Sequence, residues 1–183
     1  MATANTLAVF RGDFVQELTT GDVYPCTRGG GSYPSLSFVV LGVPRYLASD
    51  NQMKRGSFVP AATAYTGGLG MSNPLASIVL CIPVAGQLFS LTVPTAEATA
   101  AAAQGKVGKC IDINPGAGDT GTGLSGHLAY TGTDATYGWQ ATTVAGQLRL
   151  ESIPKYGLTG TLNDPTVANW TGIFSVVETI VTV

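Results

Sequence analysis

The chain has 183 residues, 11% of them charged, with Lys+Arg 9 against Asp+Glu 11 and a formal net charge of −2; an ordinary globular chain carries about 25% charged residues. At 45% hydrophobic residues it is not a disordered chain, which needs low hydrophobicity and high net charge. It has no excess of Lys and Arg to form a basic footprint for nucleic acid, and no charged heptads to form a coiled coil.

Residues 1–9 are small and polar apart from Leu7 and Val9, and read as an extended N-terminal arm that a partner or a sheet edge must order. Met1–Leu7 lacks the basic and apolar regions of a secretion signal, so the expectation is a chain made in the cytoplasm and used without export. Phe10–Leu18 predicts a first strand, and Pro25–Pro34, with Gly29-Gly30-Gly31, a long loop. Ser35–Val43 is a nearly unbroken apolar run, which predicts a strand buried on both faces. Polar residues follow over Pro44–Arg55, then an Ala/Thr/Gly loop over 60–74.

From Gly56 to Ala96 there is no Asp, Glu, Lys or Arg. The window Leu75–Pro94 has the length of a membrane-spanning helix. Pro83, Gly86 and Gln87 break it at its centre, so it reads as two strands, Ser77–Ile82 and Gln87–Val93, joined by a short turn, and no membrane is expected as a partner.

One helix is expected, over Thr95–Gln104. Thr95 serves as N-cap, Glu97 suits the first turn, the alanines have the highest helix propensity, and Gly105 stops it. Further strands are predicted over Val107–Ile113, Leu124–Tyr130, Gln147–Ser152, Gly157–Leu162 and Gly172–Val183, with a Gly/Thr/Asp loop over 114–126. The fold class is therefore mainly β: a sandwich or barrel-like arrangement with one short Ala-rich helix at about 95–104 and the arm. Residues 10–183 form either a single β-rich domain or two small β subdomains split near 105–120. Val84-Ala85-Gly86-Gln87-Leu88 recurs as Val144-Ala145-Gly146-Gln147-Leu148, which marks either two similar turns or a duplicated β unit.

Nothing in the sequence names a chemistry. Gly116, Gly118 and Gly121 form a literal G-x-G-x-x-G, but the residues after it are poor helix formers, and a dinucleotide site needs a helix there. Asp112, Asn114 and Asp119 are hard oxygen ligands without the spacing of a calcium loop. His127 is the one histidine, which excludes a two-histidine zinc site within the chain. Ser125 and Asp134 could join it in a triad only by tertiary accident, because no nucleophile elbow surrounds any Ser. Three cysteines, Cys26, Cys81 and Cys110, make no disulfide framework, and the last two sit in apolar runs as small hydrophobes. Asn169-Trp170-Thr171 is a formal glycosylation sequon, read here only as a turn. Tyr130, Tyr137, Trp139 and Tyr156 lie near polar loops, as ring-stacking residues of sugar-binding modules do, and equally as ordinary sheet packing does. Neither catalytic residues nor a metal or cofactor is expected, and the chain reads as no enzyme.

A chain so poor in charge exposes neutral patches, and such patches mark interfaces. The arm 1–9, the Ala-rich segment 95–104 leading into Val107–Ile113, the Gly/Thr loops and the closing strand Gly172–Val183 together resemble the capsid decoration, or cement, proteins of tailed bacteriophages. The resemblance is one of overall style over the whole chain and carries no diagnostic motif. It implies a structural virion protein on the capsid exterior, a homotrimer that bridges major capsid subunits. Leu7, Phe10 and Phe14 are the expected capsid-docking residues, and Ala98, Ala101 and Ala102 the expected subunit interface. Other readings are a tail, fibre or head-completion subunit, or a carbohydrate-binding β-module.

Overall fold

A computed structural model describes residues 8–17, 23–26, 36–47, 53–59, 78–131, 138–139 and 146–177. These residues make a mainly-β fold of several antiparallel sheets with one short helix, as the sequence predicts. No helix among them is long and apolar enough to cross a membrane. The chain forms two compact units, with 8–26, 36–83 and 115–127 in the first and 84–114 and 128–177 in the second. One crossing, at 114/115, falls inside the 105–120 window, and others fall at 83/84 and 127/128.

In the first unit the expected strand Phe10–Leu18 is cut in two. β1 (Val9–Phe10) and β2 (Phe14–Glu17) are separated because Gly12 takes a positive φ of 92° and Asp13 turns its side chain back onto the Phe10 N–H. β3 (Val23–Pro25) pairs with β2, and β2 pairs with β4 (Phe38–Leu47). β4 runs four residues beyond the predicted Val43. It passes Pro44, which has no N–H to give a ladder, by shifting register between Gly42 and Arg45. β5 (Met53–Lys54) pairs with its far end, β6 (Phe58–Val59) pairs with β1, and β7 (Ile78–Pro83) pairs along β4.

Val9, Val15, Val40, Val43 and Val59 form the core of this unit, with Phe38, Val79 and Cys81 packed against it. β4 is buried on both faces at Val39 and Val40, as its apolar run predicts, but Leu41 is 52% exposed. Val9 is fully buried and paired with Val59, so the predicted arm of residues 1–9 ends before it.

The second unit holds a sheet of order β8-β13-β12-β9, built from β8 (Leu88–Val93), β9 (Cys110–Ile111), β12 (Leu148–Ser152) and β13 (Trp170–Val176). β7 and β8 are joined by a turn at Gly86 as expected, yet they pair with β4 and β13, not with each other. The predicted strand Val107–Ile113 splits at Asp112. β9 joins β12, while β10 (Ile113–Asn114) pairs with β11 (Leu128–Ala129), and the Asp112 carboxylate accepts the Gln147 N–H between them. Gly157–Leu162, predicted as a strand, is a series of turns with a single bridge between Tyr156 and Leu162. Residues 178–183 of the predicted last strand lie outside the described residues.

The helix α1 is Ala100–Gln104, five residues shorter at its start than predicted. Thr99 is the N-cap, accepting the Ala102 N–H at 3.0 Å. Thr95 and Glu97 are taken by other partners. The Thr95 hydroxyl bonds that of Thr131, its carbonyl accepts the Trp170 indole N–H, and the Glu97 N–H donates to the Pro165 carbonyl. Tertiary hydrogen bonds thus override local propensity over 95–98.

The two copies of Val-Ala-Gly-Gln-Leu differ at the glutamine. Gln87 is exposed in a turn, whereas Gln147 is buried and its side-chain carbonyl accepts the Ile113 N–H. Val144 and Ala145 of the second copy lie outside the described residues.

Candidate functional site

In the first unit the break between β1 and β2 aims Asp13 inward. One carboxylate oxygen, Oδ2, accepts the Phe10 N–H at 2.8 Å and closes the turn. The other, Oδ1, lies 3.3 Å from His127 Nε2 without satisfying a hydrogen bond to it. His127 Nδ1 accepts the Phe14 N–H at 3.2 Å, which assigns the ring proton to Nε2, on the Asp13 side. The Cys26 thiol stands 3.8 Å from Nδ1. Asp13, Cys26 and His127 are 2%, 1% and 9% exposed, so an acid, a thiol and an imidazole meet in the interior.

Glycine makes this possible. A Cβ on Gly118 would collide with the Phe10 ring, and one on Gly116 with the Gly126 carbonyl. The G-x-G-x-x-G therefore marks tight packing of the loop 115–127 in the first unit. Asp119 fixes the turn by accepting the Gly121 N–H at 2.7 Å.

Burial pushes the Cys26 thiol up to about 12, with the Asp13 charge adding to the rise. It holds His127 below the usual imidazole range, an effect the Asp13 charge opposes. At neutral pH the pair is thus thiol and neutral imidazole. It offers hydrogen bonds, while the thiolate that nucleophilic catalysis uses is suppressed.

The depressed His127 has a consequence for stability. Below the unfolded value near 6.5 the unfolded chain binds a proton that the folded chain refuses. Stability is therefore lost as pH falls from about 6.5 toward the folded value, by at most about 1.4 kcal/mol per pH unit. Urea unfolding at pH 7.5 and pH 5 should show a larger loss for the wild type than for His127→Gln, whose carbonyl can still accept the Phe14 N–H. Equal losses would refute the assignment. The carboxylates held low by hydrogen bonds (Asp119, Asp164 and Glu151) titrate below this window.

The second unit presents a different feature. Asn163 pins the segment 154–171 by donating to the Pro154 and Thr171 carbonyls, each at 2.8 Å, and accepting the Thr171 N–H at 2.7 Å. The Thr171 hydroxyl accepts the Leu158 N–H, and Asp164 accepts from both the backbone and the hydroxyl of Thr166. Gly160 at φ 76° and Asn169 at φ 65° supply the left-handed turns. This fixed segment surrounds a concavity of about 410 Å³ and displays Leu158, Leu162 and Val167, which are 61%, 69% and 59% exposed.

The residues singled out in the sequence fall as follows. Leu7 lies outside the described residues. Phe10 is 5% exposed and stacked on Phe58 at 4.8 Å between ring centroids, and Phe14 is 1% exposed beside His127. Both are buried in the core, with Phe10 also lining a cavity of the first unit. Ala98 and Ala101 are exposed, Ala102 is half-buried, and the buried alanine is Ala103. The Ser125 hydroxyl accepts the His127 backbone N–H at 3.1 Å, and Asp134 lies outside the described residues. Among the described residues no three His, Cys, Asp or Glu side chains are grouped to hold a metal. Tyr156 is 57% exposed with the Lys155 ammonium 5.5 Å from its ring centre, and the Lys106 ammonium stands 5.8 Å from that of Trp139. Tyr137 lies outside the described residues.

Asp13 and Asn163 carry the two features, and sequence reasoning passes over both. Asp13 gives one signal, a Gly12-Asp13 turn pair between the apolar pairs Val9-Phe10 and Phe14-Val15, and Asn163 gives another, the turn-forming Asn163-Asp164-Pro165. No family model matches the chain, and neither does any curated protein or solved structure.

Proposed function

We propose that this chain is a structural subunit that works while covered by other protein, a decoration protein on the exterior of a phage capsid that forms a homotrimer and bridges major capsid subunits. The observation that carries the reading is the group Leu158, Leu162 and Val167, exposed on a pinned segment in a chain with 11% charged residues. One exposed leucine is ordinary, but three such side chains around a single concavity make a patch of the kind that interfaces cover. Because Asn163 and Thr171 already hold the segment, little ordering entropy opposes binding. Three copies in a trimer would multiply a modest contact through effective concentration.

The test combines assembly and binding. Light scattering on the eluting protein should give a trimer, which should co-sediment with shells of the major capsid protein from the same genome. Replacing Leu158, Leu162 and Val167 together by Ser should leave unfolding within about 0.5 kcal/mol per site, as surface changes do, and should abolish the trimer or the shell occupancy. A monomer, a trimer that ignores shells, or full occupancy by the triple variant would overturn the reading. The second of these results would point to a tail or fibre subunit.

A further inference from the structure

We propose that β7 is a strand by which two copies of this chain join, its outer edge pairing antiparallel with the same edge of a second copy about a two-fold axis. β7 is six residues long and stands at an edge of the first unit's sheet. Among the described residues it pairs with β4 alone, and no backbone group of Val79–Pro83 is bonded to any other described residue. Alternate N–H and C=O groups along it therefore point away from the sheet, a ready template for another strand. The extra residues of this pairing lie in β4, which advances from Val40 to Gly42 while β7 advances from Cys81 to Leu80, so β7 itself carries no bulge. Val79 and Cys81 pack on the core, and Leu80 between them is 55% exposed.

Sheets ordinarily blunt an edge with a charge, a proline, a bulge or very short length. The other edges of this sheet follow that rule: β3 has three residues and ends in Pro25, and β5 has two, one of them Lys54. β7 lies within 56–96, where no residue is charged, and its one proline, Pro83, stands at its end and leaves Val79–Ile82 able to donate. The occupant follows from that chemistry. An extended row of backbone donors and acceptors takes an extended strand. A charged strand would set its charge beside Leu80, whereas a second β7 brings none, so in charge this edge is complementary to itself. A two-fold axis presents the same patch from both copies. One such ladder is about 20 Å long, small beside the roughly 800 Å² per partner of a stable interface, so the contact forms when copies are concentrated. In the assembly proposed above it joins neighbouring trimers, because a two-fold contact does not close within a three-fold ring. It does not depend on that assembly, since it doubles whatever species the chain forms.

Sedimentation of the full chain from micromolar to millimolar concentration should show its mass double. Leu80→Lys, a charge on the exposed face of the edge, should keep the smaller species at millimolar concentration and unfold as the wild type does. The Leu158, Leu162 and Val167 to Ser variant should still double, from whatever species it starts. In the doubled wild type, amide exchange should slow about tenfold at alternate residues of Val79–Ile82, the pattern that added ladder bonds leave. If Leu80→Lys does not fold, as circular dichroism would show, that exchange pattern decides. No doubling, doubling that survives Leu80→Lys, doubling lost in the triple serine variant, or exchange that slows equally along β7 would overturn the proposal.

Discussion

Truncating Phe14 to Ala is expected to destabilise the first unit by about 3–5 kcal/mol, the range for deleting a buried ring. Phe14 is 1% exposed, lies opposite Val39 in the sheet, and stacks on His127 with an interplanar angle of 8°. Its backbone is held as firmly as its ring. The N–H donates to His127 Nδ1, and the carbonyl accepts the Cys26 N–H at 3.2 Å. Ala preserves both backbone bonds, so the loss isolates the ring. Phe14→Leu, which keeps most of the volume, should recover the larger part.

Amide exchange in β2 and β4 is the suitable measurement, because both tryptophans belong to the other unit and fluorescence would miss the change. A Phe14→Ala protein that keeps its exchange protection but fails to bind shells would restore Phe14 as a docking residue and contradict its placement in the core.

The second large effect belongs to Phe174. It is fully buried in β13, with Phe89 of β8 and Leu150 of β12 directly opposite on its two sides. Its ring also occupies the space a side chain at position 172 would need, since a Cβ on Gly172 would approach the Phe174 ring to 2.6 Å and the Leu150 methyl to 2.8 Å. Phe174→Ala should cost the second unit about 3–5 kcal/mol, and Gly172→Ala about 1–3 kcal/mol through overpacking. Trp170 lies in the same strand and is 2% exposed, so its fluorescence reports the unfolding of this sheet directly. Leu158→Ser in the same unit should change the midpoint little. Equal costs at Phe174 and Leu158 would mean that the core of this unit lies elsewhere.

What the residues specify locally was legible from them. Short apolar or alternating runs with Gly and Pro near them place β4, β7, β8 and β12 within a few residues of their ends. Pro83 and Gly86 break the uncharged stretch into strands, and Gly105 ends the helix where expected. These signals act over a few residues, through φ restriction, propensity and side-chain alternation.

What the chain does over distance was not legible. The start of α1 moved because Thr95 and Glu97 found partners at Thr131, Trp170 and Pro165, which no capping rule contains. Gly157–Leu162 has the composition of a strand, yet the Asn163 hydrogen bonds hold the neighbouring chain in turns. The candidate site shows the limit most plainly. Cys26 and His127 are 101 residues apart, and Phe14 and His127 are 113 apart. Each has an ordinary local context, and only the tertiary structure brings them to Asp13. The sequence by itself determined a mainly-β chain with few charged residues. The tertiary structure decided that Phe10 and Phe14 are core and that Leu158, Leu162 and Val167 are surface, because burial is set by what packs across the sheet and not by the hydrophobicity of the residue alone.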